Sequence, residues 1–114
     1  MIYLKQGVKL LGLDPQMAVA LQVVHELYGD RGHSCWVTSG NDGQHKEGSL
    51  HYTGRALDFR LHNVPQHARP ALVSRVKLAL RAGEGEFEVY WEGQGIPYEY
   101  LHVEFDPKDR GVAG

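Results

Sequence analysis

The stretch ALDFRL, residues 56–61, alternates apolar and polar side chains with a period of two. This period is typical of a β-strand with one buried and one open face. The apolar set is Leu57, Phe59 and Leu61. The opposite set is Ala56, Asp58 and Arg60. The stretch therefore predicts a sheet strand that carries Asp58 on its polar face.

A second stretch, YEYLHVEF at residues 98–105, has the same alternation and predicts a partner strand. Its apolar face carries Leu101, Val103 and Phe105. Its other face carries Tyr100, His102 and Glu104. Shorter strand signals lie at residues 35–38 and 87–91. Residues 39–48, rich in Gly, Asn and Asp, are expected to be loop, and residues 93–97 a turn.

Two helices are expected between these strands. Asp14 followed by Pro15 is typical of a helix start, and Gly29 is expected to end the helix. Apolar residues at spacings of four, three and four form its buried face. They are Met17, Leu21, Val24 and Tyr28. The second helix is predicted over roughly residues 66–82, with Gly83 as terminator and Pro70 marking either its true first turn or a kink.

The predicted order is helix, two strands, helix, two strands, which indicates an α+β fold. A small, mainly antiparallel sheet with helices packed on one face is expected. The 114 residues suit one domain, covering residues 1–114. The tail from Pro107 is polar and is expected to fray.

Composition excludes several function classes. The single Cys excludes an internal disulfide framework and a Cys-rich zinc finger. The net charge of −2 gives no electrostatic footprint for nucleic acid or anionic lipid. The chain shows neither a membrane-spanning run nor a signal peptide. Seven His beside one Cys mean that any metal would be held by imidazole and carboxylate.

A candidate metal shell follows from three of these residues. His51 and Asp58 lie seven residues apart around Gly54, which permits a tight turn, and His102 lies on the last strand. Two imidazoles and one carboxylate are a normal ligand set for catalytic zinc, which keeps one position open for water. The same residues also fit a plainer interpretation, in which the histidines are polar strand-end residues and Asp58 caps a turn.

The run SLHYTGRALD at residues 49–58, followed by the separate His102, resembles the signature of the M15 zinc peptidases. That group includes D-alanyl-D-alanine carboxypeptidases, D-Ala-D-Ala dipeptidases and phage L-alanyl-D-glutamate endolysins. Its members share the hedgehog/DD-peptidase fold, and residues 45–58 are similar to hedgehog almost residue for residue. The resemblance extends from about Val37 to Asp106.

The resemblance implies one Zn²⁺ per chain, held by His51, Asp58 and His102. It also implies that Glu99, three residues before His102, is the general base. On an ideal strand these two residues have opposite parity, so a bulge or a strand start near residues 98–100 would be needed to turn Glu99 toward the metal. Glu104, on the face of His102, and Glu92 are the rival bases.

Further roles follow from the same resemblance. His45 matches a hedgehog pocket histidine that would stabilise an oxyanion or bind the zinc water; as a His in a Gly-rich loop, it also fits plain surface solvation. Ser49 is expected to hold the ligand loop through a local hydrogen bond. Arg55 and Arg60 are the cations available to a peptide carboxylate, although each also fits a surface ion pair.

One family feature is missing. Many M15 carboxypeptidases carry an Arg in the loop after the first strand, whereas residues 38–43 read TSGNDG. This absence favours an endopeptidase, which need not bind a C-terminal carboxylate.

The sequence therefore predicts a monomeric zinc peptidase acting on peptidoglycan stem peptides. Synthesis in the cytoplasm with action at the cell wall, as in a phage lysin, is expected. The alternative is a hedgehog-like, non-enzymatic zinc domain that serves as a binding module.

Overall fold

A five-stranded mixed sheet and two α-helices form the fold in the computed structural model, which describes residues 1–41 and 49–107. The strands are β1 (Ile2–Leu4), β2 (Cys35–Ser39), β3 (Ala56–Arg60), β4 (Phe87–Glu92) and β5 (Tyr100–Phe105). The helices are α1 (Pro15–Gly29) and α2 (Arg69–Leu80). The strand order is β1-β2-β3-β5-β4. Only β1 and β2 pair in parallel, so the α+β class and the mainly antiparallel sheet are confirmed.

The core lies between one face of the sheet and the two helices. Tyr28 of α1 packs its ring 6.5 Å from that of Phe59, and its hydroxyl donates to the carbonyl of Arg60 at 2.8 Å. The predicted apolar set of β3 and Leu101 and Val103 of β5 are buried in the same cluster. Helix burial thus uses one side of the pleat. Neither of the two α-helices of the described residues packs on the opposite side, which carries Asp58 and His102.

Helix α1 begins as predicted, and its end differs from the prediction. The side chain of Asp14 accepts a hydrogen bond from the Gln16 amide at 2.8 Å, as an N-cap does. Gly29 is the last helical residue and does not stop the helix, because Asp30 is the C-cap. The chain turns in a left-handed conformation only at Gly32, with φ of 77°.

Helix α2 is shorter than the predicted range of residues 66–82. A separate 3-10 turn occupies Gln66–Ala68. Pro70 lies in the first turn of α2, so it marks the true start of the helix and not a kink. The helix ends at Leu80 because Arg81 adopts a left-handed conformation, with φ of 54°. Gly83 is therefore not the terminator.

The strands also differ from the prediction at their ends. β3 stops at Arg60, and the Leu61 amide donates to the carbonyl of Glu99 at 3.1 Å. β5 begins at Tyr100 and not at residue 98, because the β4–β5 turn extends to Glu99, whose amide donates to Ile96. β1 was not predicted, since three residues carry no readable period.

Parts of the predicted loop and tail lie outside the described residues, at 42–48 and 108–114. None of the helices in the described part of the chain is both long and apolar enough to cross a membrane.

Candidate metal centre

The strand register brings Asp58 and His102 together. Asp58 of β3 lies directly opposite His102 of β5, and Tyr90 of β4 lies on the other side of His102. Side chains that face each other across antiparallel strands are close enough to touch. Nδ1 of His102 is 2.8 Å from Oδ1 of Asp58. Two residues 44 positions apart in the chain therefore form one unit on the open face of the sheet.

A capped turn delivers His51 to the same place. His51 lies in a 3-10 helix, Leu50–Thr53, whose N-cap Ser49 accepts the His51 amide at 3.2 Å. Gly54 ends this turn with φ of 71°, a conformation that favours glycine. A Cβ on Gly54 would lie 2.2 Å from the carbonyl oxygen of Gly12, so the close approach also requires glycine. The local hydrogen bond predicted for Ser49 and the tight turn predicted at Gly54 are both present.

A backbone hydrogen bond on the side of the His51 ring away from Asp58 fixes the orientation of that ring. Its Nδ1 lies 2.8 Å from the carbonyl oxygen of Gly40, which can only accept, so Nδ1 carries the proton. Nε2 is left with its lone pair and faces Oδ1 of Asp58 at 3.4 Å. A backbone carbonyl behind a ligand histidine is a common device of metal sites. Gly40 is not predictable as a partner of His51 from the sequence, because only the fold brings the two residues together.

Gly40 is itself confined by the backbone. A Cβ at this position would lie 2.2 Å from the carbonyl oxygen of Lys9. The glycine in the predicted loop is thus needed for close packing of two chain segments. A glycine in a loop gives no sequence signal for this role.

His102 lies between two carboxylates. Its Nδ1 faces Asp58 and its Nε2 lies 2.8 Å from Oε1 of Glu104. Burial alone lowers the pKa of His102, but its hydrogen bonds to Asp58 and Glu104 outweigh burial and raise the pKa above its usual value. Burial likewise tends to raise the pKa of Asp58, while the hydrogen bond with His102 and the proximity of the two histidine rings hold it below its usual value.

The three residues fit a metal ion. One ligand atom from each of His51, Asp58 and His102 lies within 4.8 Å of the others. In a tetrahedral zinc site with bonds of about 2.0–2.1 Å, ligand atoms are about 3.3 Å apart. The 3.4 Å between His51 Nε2 and Asp58 Oδ1 is close to that spacing. The predicted group is therefore confirmed as one that can hold a metal ion.

Glu99, the base implied by the resemblance, is engaged elsewhere. It is buried, and its Oε1 accepts from Nη1 of Arg69 at 2.9 Å and from the Gly95 amide at 3.3 Å. Its Oε2 accepts from Nε1 of Trp91, whose ring packs against the core. The carboxylate thus points toward the helix side, as strand parity predicts. Neither a bulge in β5 nor the start of that strand at Tyr100 turns Glu99 toward His102.

The rival carboxylates lie on the open face. Glu104 contacts His102, and Glu92 of β4 pairs with Tyr100 across the strands. Both line a pocket of about 430 Å³ that also contains the three metal-site residues. We call it the metal pocket. It brings two of the three candidate bases to the metal site.

The remaining predicted residues are separated. Arg55 lies outside the metal pocket, with its Nε 3.4 Å from Oδ2 of Asp14. Arg60 lines a neighbouring groove. Ser49 lines the metal pocket. His45 lies outside the described residues.

Comparison of the chain with protein-family models, with curated proteins and with solved structures finds no match.

Proposed function

We propose that this chain is a zinc-dependent peptidase of the M15 type that hydrolyses peptidoglycan stem peptides. The convergence of His51, Asp58 and His102 on the open face of the sheet carries the proposal. The order and spacing of these residues match the M15 motif, and an α+β domain with helices on one side of the sheet is compatible with the hedgehog/DD-peptidase fold.

The donor set favours zinc. Two neutral imidazoles and one carboxylate are the ligands that catalytic zinc takes, whereas Ca²⁺ and Mg²⁺ prefer oxygen. Within residues 1–41 and 49–107 the group has three members, which is the number that a catalytic site uses. When bound, zinc supplies Lewis acidity that lowers the pKa of water toward 7 and polarises a carbonyl.

The chain's own residues would hold and orient this site. Gly40 keeps the proton of His51 on Nδ1, which presents Nε2 to the ion. Glu104 accepts the proton of His102 on Nε2, which presents Nδ1 beside Asp58. A carboxylate behind a ligand histidine raises its basicity and fixes its ring. Glu104 is therefore assigned as a positioning residue.

Glu92 is the general base in this proposal. It is exposed in the metal pocket, on the face of the sheet that carries His102. A base must reach the proton directly or through one water. Glu99 is less suited, because the guanidinium, indole and amide donors already occupy its carboxylate.

The same engagement of Glu99 favours a second candidate, a hedgehog-like zinc domain that binds a partner without catalysis. If the residue that matches the family's base serves only to hold the fold, the metal site needs no hydrolytic role. Zinc would then stabilise the domain and shape its open face.

Digestion of purified muropeptides, followed by mass spectrometry of the products, separates the two candidates. The peptidase should cleave stem peptides with about one zinc per chain, measured by elemental analysis. His51→Ala should lose both zinc and cleavage. His67→Ala is the matched control, since His67 is exposed and outside the metal group.

The three glutamates give different expected results. Glu92→Gln should keep zinc and lower kcat by about 10²–10⁴-fold. Glu104→Gln should weaken zinc affinity by about 10–100-fold. Full zinc loading without cleavage of any muropeptide would support the binding module, and full cleavage after exhaustive chelation would refute a metal-dependent mechanism.

A further inference from the structure

A second groove adjoins the metal pocket on the open face of the sheet. Its volume is about 550 Å³, within the range of small-molecule sites. Asp58 and Tyr100 line both spaces, so they form the wall between them. Arg60 and Lys5 line this second groove but not the metal pocket, and we call it the Arg60 groove. A substrate held at Asp58 would extend naturally into it.

Arg60 is a cation that is held in place by an aromatic ring and has no anionic partner among residues 1–41 and 49–107. Its guanidinium carbon lies 4.7 Å from the centroid of the Trp36 ring, which stacks in turn on Tyr3 at 4.9 Å. This cation–π contact fixes the plane of the guanidinium. Its Nε is buried and has no hydrogen-bond partner in the described part of the chain. Because Arg60 lines the groove, the terminal nitrogens of its guanidinium offer a planar fork of donors to a carboxylate bound there.

The surroundings of Arg60 are positive. Lys5 lines the same groove, and the charge of Arg60 contributes to the lowered pKa of His62, although burial is the larger cause. Two acidic residues also line the groove, but both are engaged. Asp58 is bonded to the histidines and Glu99 to Arg69.

We infer that Arg60, assisted by Lys5, binds the C-terminal carboxylate of the residue that follows the scissile bond. This inference rests on the proposed peptidase function and names its substrate class, a peptide with a free C-terminus. It replaces the endopeptidase preference that the missing family arginine suggested, because β3 supplies a cation from a different element.

The spacing along β3 agrees with a single residue beyond the scissile bond. Asp58 and Arg60 project from the same face two residues apart, which is about 6.6 Å on a strand. One extended peptide residue spans about 3.5 Å, and a charge-assisted hydrogen bond adds about 2.8 Å. These two lengths are similar, so a carboxylate one residue past a carbonyl at Asp58 would lie over the Arg60 position of β3.

Binding of two small probes tests the inference without requiring hydrolysis. The probes are N-acetyl-D-alanine and its amide, titrated into zinc-loaded, ¹⁵N-labelled protein and followed by NMR, including the Nε–H resonance of Arg60. The acid should bind at least about tenfold more tightly than the amide. Arg60→Gln should remove this preference and leave the zinc content unchanged.

Two further variants keep the test decisive. Arg55→Gln is the matched control, because Arg55 pairs with Asp14 outside both spaces, and it should keep the acid preference. Arg60→Lys keeps the charge but not the planar fork, so it should give an intermediate preference for the acid over the amide. This variant replaces Arg60→Gln if Arg60→Gln unfolds. Equal binding of acid and amide by the parent, or full preference in both Arg60 variants, would overturn the inference.

A kinetic arm separates this inference from the proposed function. Stem peptides with a free C-terminus should be cleaved at least tenfold faster, in kcat/KM, than the same peptides amidated at the C-terminus. Equal cleavage of the free and the amidated peptides would refute the Arg60 assignment, as would cleavage that depends on a side-chain carboxylate. Neither result would contradict the proposed peptidase function. Acid-selective binding by Arg60 without any cleavage would refute the peptidase function and leave Arg60 as a carboxylate-binding residue.

Discussion

Replacing Glu99 by alanine removes the acceptor of three donors at once. Arg69, Trp91 and the Gly95 amide all bind its carboxylate. Arg69 also donates to the carbonyls of Val64 and His62, at 2.8 and 3.3 Å. The pair thus joins the start of α2, the segment after β3 and the β4–β5 turn. We expect Glu99→Ala to destabilise the fold instead of acting only on catalysis.

The size of the loss follows from these contacts. Removing one member of a buried ion pair costs about 3–5 kcal/mol, because the other charge is left without a partner. Arg69 keeps two carbonyl acceptors and some solvent contact, which places its loss at the lower end. The indole N–H of Trp91 adds about 1 kcal/mol. The sum is roughly 4 kcal/mol, or about 15–20 °C in Tm for a domain of this size.

Urea unfolding followed by circular dichroism measures the loss, since fluorescence would also report the changed surroundings of Trp91. Glu84→Ala is the control, because Glu84 is exposed and should change stability by no more than about 0.5 kcal/mol. The Arg69→Ala single variant and the double variant complete a cycle. The double variant should lose about 2 kcal/mol less than the sum of the two single variants.

A Glu99→Ala variant within about 1 kcal/mol of the parent would refute this reasoning. If that variant also kept its zinc and lost all hydrolysis, Glu99 would be the base after all. The family resemblance would then be the better guide, and the ion pair with Arg69 would have to open during the reaction.

Three further predictions concern the turn, the core thiol and the metal. Gly54→Ala should lower Tm and zinc affinity more than Gly32→Ala. Both glycines have positive φ, but of the two only Gly54 would bring a Cβ against backbone atoms. Equal losses in the two variants would contradict this close contact. Burial raises the pKa of Cys35 to about 12, against about 9 for a solvated thiol. The folded state therefore disfavours the thiolate, and this stabilisation is complete below pH 9 and is lost as the pH rises toward 12. Between pH 8 and 10 the Cys35 contribution to the unfolding free energy should fall by roughly 1.4 kcal/mol, a loss that Cys35→Ala should not show in parallel denaturant titrations. Zinc at 100 times its Kd should raise stability by about 2.7 kcal/mol in thermal melts, and Asp58→Asn should abolish this gain; a parent Tm that does not respond to zinc would contradict the site.

Local pattern predicted much of the fold. The alternation in residues 56–61 and 98–105 correctly separated the core face from the polar face, because a strand exposes alternate side chains whatever its neighbours are. The cap at Asp14 fixed the start of α1 for a similarly local reason. Element ends were less predictable, since Arg81 ends α2 in a conformation that only surrounding contacts select.

The candidate site likewise has features that local sequence predicts and features that depend on tertiary contacts. Ligand types and their order are properties of the chain, so His51, Asp58 and His102 could be named from the motif. The two-residue period of a strand also predicted that Glu99 would face away from His102. In the structure the carboxylate of Glu99 binds Arg69, whereas His102 contacts Asp58. The motif alone does not determine which acidic group reaches the metal.

Contacts between distant segments decided the rest. The carbonyl of Gly40 behind His51, the ion pair of Glu99 with Arg69 and the stacking of Arg60 on Trp36 each join segments from different elements. Their hydrogen bonds and charges depend on distances of a few ångströms, which sequence spacing does not encode. The sequence by itself determined the candidate metal ligands and the face that carries them. Only the tertiary structure decided which carboxylates and which cation lie beside the candidate metal site. The reason is that packing of the two helices against one face of the sheet buries the charges on that face and leaves those on the other face open.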